Sequence, residues 1–124
     1  MSTSAAEPTI FERIVRREIP ATIVFESDSV IAFEDIAPKA PVHLLVVPKT
    51  AAYANVVELA AGDPGLLAEI VDVASRLVTD PAVIREFTPG EFRLIFNTGE
   101  AAGQTVFHVH AHVMAGTLQE GSLA

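Results

Sequence analysis

Apolar and polar residues alternate strictly from Phe107 to Val113, so an extended chain there carries Phe107, Val109, Ala111 and Val113 on one side and His108, His110 and His112 on the other. A helix would scatter the three imidazoles around its circumference, and the pattern therefore predicts a strand from Thr105 to Ala115. Elsewhere the period is helical. Asp63 to Thr79 places Leu66, Ile70, Val73 or Ala74, and Leu77 on one stripe, with Asp63 as N-cap and Pro64 at the first helical position. A shorter helix is predicted from Ile10 to Arg17, capped by Thr9 and stopped by Pro20. Thr22 to Glu26 and Val30 to Glu34 read as a hairpin across Ser27-Asp28-Ser29, His43 to Val47 as a strand ended by Pro48, and Phe92 to Asn97 as a strand after the Pro89-Gly90 turn. A tight hairpin and a single long helix favour an antiparallel sheet with helices packed on it, an α+β fold, over a βαβ arrangement.

Composition narrows the class. The 124 residues suffice for one domain, expected over residues 9–116, with a flexible N-terminus at 1–8 and a short tail at 117–124. Sixteen acidic residues against eight Lys and Arg give a net charge of −8, which argues against a nucleic-acid partner, whose phosphates are held by many cations. There is no cysteine, hence no disulfide and no thiolate zinc motif, and no apolar run approaches the roughly 18 residues of a membrane span. A soluble, cytoplasmic protein without a membrane partner is expected. Half the residues are hydrophobic, so surface is left over for a second subunit, and a homodimer is expected.

Three of the four histidines fall in one seven-residue run, which concentrates acid, base, nucleophile or metal chemistry there. A solvated strand face would need that clustering by chance. A three-histidine zinc site is the stronger competitor, although no acidic group lies beside the motif in sequence to orient the ligands. The preceding loop, Asn97 to Thr105, is rich in small residues, so its N–H groups can face an anion, and Gln104 and Thr105 add side-chain donors. It lacks the G-K-[ST] ending of a phosphate loop and leads into a strand. A phosphate held in that loop would meet the histidine face, making phosphoryl or nucleotidyl transfer to an imidazole nitrogen a natural reaction class.

His108-Val109-His110-Ala111-His112-Val113-Met114 resembles the signature of the histidine triad superfamily, most closely its nucleotide-binding branch, the purine nucleoside phosphoramidases. Thr9-Ile10-Phe11, Arg17 to Ala21, Ala32 to Ile36, Ala40 to His43, Val46 to Lys49 and Gly103 to Val106 look like that branch in order, so the resemblance spans nearly the whole chain. It implies a five-stranded antiparallel sheet with two main helices, joined to ten strands in a homodimer, and hydrolysis of adenosine 5′-phosphoramidate-like compounds to AMP through a nucleotidyl-histidine intermediate. It implies neither metal nor cofactor. Carried over by position, His110 would be the nucleophile, His112 and His43 would bind phosphate oxygens, and His112 could protonate the leaving amine. His108 would orient the nucleophile, while Asn97, Thr105 and the Gly103-Gln104 backbone would complete the phosphate site. Ile10, Phe11, Ile14, Phe33 and Ile36 would wall the purine, with Asp35 accepting from the ribose hydroxyls. Thr105 stands where a serine is usual, and residues 115–120 carry none of the Arg and Trp-Pro residues that often follow the triad strand in that branch.

Overall fold

In the computed structural model, which describes residues 7–119, Thr9 opens the first helix with a reciprocal cap. Its hydroxyl accepts from the Glu12 N–H at 3.1 Å, and the Glu12 carboxylate accepts from the Thr9 N–H at 2.9 Å. Helix α1 covers Ile10–Val15, two residues fewer than the pattern predicted. Arg17, at φ 62°, turns the chain left-handed, and the Glu18 N–H closes back onto the Arg13 carbonyl, so this turn stops the helix before Pro20 is reached.

Strands β1 (Ile23–Glu26), β2 (Val30–Glu34), β3 (Val42–Pro48), β4 (Phe92–Ile95) and β5 (Ala111–Ala115) form one sheet in the order β1-β2-β3-β5-β4, every neighbour antiparallel. The expected α+β architecture with a five-stranded antiparallel sheet is present. Asp63 caps the long helix α3 (Pro64–Leu77) by accepting from the Leu66 N–H at 3.1 Å, with Pro64 in the first turn as predicted. Two short helices were not anticipated: α2 (Val56–Gly62), capped by Asn55, and α4 (Pro81–Ile84), capped by Asp80.

The histidine strand is much shorter than its alternation suggested. Ladder pairing with β3 runs only from Val42↔Ala115 to Val46↔Ala111, and β4 ends opposite His112. Before that point the chain is drawn off the sheet, because the Val109 N–H donates to the Tyr53 carbonyl instead of to a strand. His108 and His110 therefore precede β5, and Phe107 is half-exposed at 51% instead of packing with Val109.

The two faces of the sheet differ. Val30, Ala32, Val42, Leu44, Val46, Ala111, Val113 and Ala115 point to the side covered by α2 and α3, where Leu59, Leu66, Ile70, Val73, Ala74 and Leu77 complete a buried core. Ile31, Phe33, Leu45 and Val47 point to the other side and meet Phe11 and Ile14 of α1 in a smaller cluster. On that second face α1 is the covering element, and His43 and His112 lie on it at the positions that alternate with the core.

Candidate active site

His108 is fully buried, and its partners fix its protonation. Nε2 lies 2.7 Å from the Pro48 carbonyl, which only accepts, so Nε2 carries the proton and Nδ1 accepts the Thr9 hydroxyl at 2.7 Å. Burial pushes its pKa down, opposed by the Pro48 hydrogen bond and by Glu12. His108 is thus a neutral strut between α1 and the end of β3. Its own carbonyl accepts from His110 Nδ1 at 2.9 Å. With the proton of His110 held on Nδ1, Nε2 presents a bare lone pair. Burial lowers the His110 pKa, against the hydrogen bond to the His108 carbonyl and the charge of Asp35, so the imidazole is neutral and nucleophilic near neutrality.

A second chain of protons runs through the other pair. The Lys39 backbone N–H donates to His43 Nδ1 at 2.9 Å, which leaves the His43 proton on Nε2. That nitrogen is 3.0 Å from His112 Nδ1 and 3.4 Å from Asp35 Oδ2. His112 accordingly carries its proton on Nε2. Burial first, and then His110 and His43, push the His112 pKa down to about 4, while burial also lowers His43. The rings of His110 and His112 are 5.2 Å apart, close enough for both to reach one phosphoryl group.

Asp35, His43 and His112 offer ligand atoms within 4.8 Å of one another, a set that suits a divalent cation. The sequence showed no acid beside the histidines, and the fold supplies one. The hydrogen bonds nonetheless oppose metal at this point: coordination through His43 Nε2 would move its proton to Nδ1, directly against the Lys39 N–H.

One cavity is lined by these imidazoles and a larger groove lies beside them. A groove of about 640 Å³ is lined by Ile10, Phe11, Ile14, Phe33, Asp35 and Ile36, so the fold brings all six sequence-predicted base and ribose residues together. Ile36 is 98% exposed and Ile10 46%, apolar surface left uncovered at its rim. Phe11 joins the groove to the triad, its ring 4.9 Å from that of His110 and 5.5 Å from that of His108. A smaller cavity of about 220 Å³ is lined by Lys39, His43, Ile95, Asn97, His112 and Met114. Asn97 thus lines the same cavity as His43 and His112, and so does Lys39, which was missed by sequence reasoning.

The loop before the histidines requires a correction. Gln104 is buried, with Oε1 accepting from the Gly99 N–H and Nε2 donating to the Ala54 and Val106 carbonyls, so its side chain shapes the loop and is no free phosphate donor. The Gly103 and Gln104 N–H groups are likewise engaged, by the Glu100 and Gly99 carbonyls of a single 3₁₀ turn. Thr105 is exposed and its hydroxyl remains available, as does that of Thr98 in the same loop.

Residues 16–118 match the HIT domain family model. The chain belongs to the HIT domain family. A HIT family hydrolase from Clostridium thermocellum superposes with a TM-score of 0.80 at 41% identity, covering 91% of this chain and 94% of that one. The purine nucleoside phosphoramidase of Escherichia coli K12 is 38% identical over 111 residues, 90% of this chain and 89% of the relative. The adenylylsulfatase HINT1 of Arabidopsis thaliana is 36% identical over 117 residues, 93% of this chain and 76% of the relative. This HIT protein is an enzyme of the hydrolase type found in the family.

Proposed function

We propose that this HIT hydrolase cleaves the P–N bond of purine nucleoside 5′-phosphoramidates, releasing an amine and AMP through a nucleotidyl-His110 intermediate. The observation that carries the reading is the His110 Nδ1–H bond to the His108 carbonyl, which leaves Nε2 unprotonated beside two further imidazoles. Similarity to the E. coli purine nucleoside phosphoramidase supports the substrate class. The base lies in the apolar groove and Asp35 accepts from the ribose, which places the phosphorus at the imidazoles. His110 Nε2 attacks phosphorus, and the P–N bonding pair leaves with the amine. That nitrogen must be protonated to depart, and an anionic phosphoryl group beside His112 favours the imidazolium that can supply the proton from Nε2. Water then attacks phosphorus and gives a proton to the His112 Nε2 that was left bare by the first step, the P–Nε2 bond breaks, its electron pair returns to Nε2, and neutral His110 is restored.

The same proposal includes a cytoplasmic homodimer. Strand β4 is an edge of the sheet, half-buried along its whole length, and is the strand along which a second subunit's sheet would continue. Among the described residues no helix is long and apolar enough to cross a membrane. Release of AMP from adenosine 5′-phosphoramidate, undiminished by a chelator, is the expected result. Activity abolished by chelation and restored by zinc would instead assign the reaction to a metal at Asp35, His43 and His112.

A further inference from the structure

The small cavity is lined by His43 and His112, whereas the groove approaches the triad through Phe11 beside His110. Along β5 the small cavity begins at His112 and continues to Met114, the next residue on that face and away from His110. In-line attack by His110 directs the leaving group away from the nucleophile. At about 220 Å³ against about 640 Å³, the cavity suits a small amine and not a second nucleoside.

Its lining is electrostatically one-sided. Beyond the imidazoles the polar groups are the Asn97 amide and the Lys39 ammonium, and no carboxylate lines it. Lys39 is exposed, and its ammonium forms no hydrogen bond or ion pair among the described residues, in a chain whose net charge is −8. Its charge reaches the site, since it helps to lower the His43 pKa. Lys39 is held over the imidazoles by its own backbone, whose N–H donates to His43 Nδ1. Asp35, the nearby acid, lies against His43 and in the wall of the nucleoside groove, and is not part of this cavity's lining.

We propose that the cavity beneath Lys39 is a leaving-group subsite that selects amines carrying a negative charge, so that phosphoramidates of carboxylate-bearing amines such as amino acids are preferred substrates. This rests on the phosphoramidase reading above. A carboxylate on the leaving amine meets the Lys39 ammonium, whereas a second ammonium meets a like charge in a partly desolvated space.

The test uses three adenosine 5′-phosphoramidates of similar size, made with glycine, ethanolamine and ethylenediamine, whose free ends are anionic, neutral and cationic. Ratios of kcat/KM are taken within each variant, so that overall changes in turnover cancel. The parent should prefer the glycine over the ethylenediamine compound by about tenfold beyond their uncatalysed difference, the order expected of one attractive and one repulsive partly screened contact. Lys39→Gln should abolish that preference, Lys39→Glu should reverse it, and Lys39→Arg should retain it. An unchanged ratio in Lys39→Gln, or no charge preference in the parent, would overturn the subsite. Failure of the parent to hydrolyse even the ethanolamine compound would overturn the phosphoramidase reading, and the subsite with it.

Discussion

The two faces of the sheet are made from alternate residues of the same strands, yet they are held by different forces. Behind it, Val42, Leu44, Val46, Ala111, Val113 and Ala115 are closed over by α2 and α3, and the contacts are apolar throughout. In front, His43 and His112 occupy the intervening positions, α1 covers only part of the surface, and hydrogen bonds with a defined proton order replace packing. The rear face stabilises the fold by excluding water. The front face holds four imidazoles neutral and leaves a groove beside them. One strand can serve both purposes because its side chains alternate, so substitutions on the two faces should separate stability from activity.

The largest expected separation comes from the rear. Ile70, on α3, is fully buried in the rear core, and Ile70→Ala should cost about 2–5 kcal/mol of stability by denaturant unfolding while nucleotide affinity of the folded protein stays unchanged. A comparable loss of affinity would show that the faces are not independent. On the front, Asp35→Ala should weaken nucleoside binding by about 1–3 kcal/mol in calorimetry, from lost hydrogen bonds to a charged acceptor. Equal affinity in mutant and parent would remove Asp35 from the ribose site and leave it only as a partner of His43.

The smallest effect is one of pH. His43, His108, His110 and His112 all have pKa values lowered by burial, so the unfolded chain binds protons first as acid is added. Their contribution to stability is complete above the ordinary value of 6.5 and is lost as pH falls toward about 4, the value of His112. Unfolding midpoints in denaturant should therefore fall through that window. The rate should hold through pH 6.5 and decline only below it, because His110 remains neutral there. A rate already halved at pH 6.5 would place an unburied histidine in the nucleophile's role.

The rear face was the more legible in the sequence. Asp63-Pro64 followed by Leu66, Ile70, Val73 and Leu77 carries a cap and a stripe together, and α3 forms there. The same signals marked Asn55 with Glu58 and Asp80 with Pro81, but α2 and α4 are too short for a hydrophobic period to reinforce them. The front face was legible in residue type and less so in geometry. Alternation from Phe107 to Val113 suits a strand, but only the fold reveals that β4 ends opposite His112 and that Tyr53 captures Val109. Gln104 shows its donors in sequence, not the carbonyls that occupy them. Lys39 enters the site because the segment after Asp35 folds back onto His43, a contact no local pattern records.

The central claim is that His110 becomes covalently nucleotidylated, and trapping that species tests it most directly. Quench of the parent in alkaline denaturant within the first turnover of adenosine 5′-phosphoramidate should yield protein carrying one AMP in an acid-labile, alkali-stable P–N linkage, located at His110 by mass spectrometry at alkaline pH. His110→Ala should fold, bind AMP and never form it. Turnover by His110→Ala at the parent's rate, or a parent that hydrolyses the substrate with AMP attached at no point in the first turnover, would contradict the account.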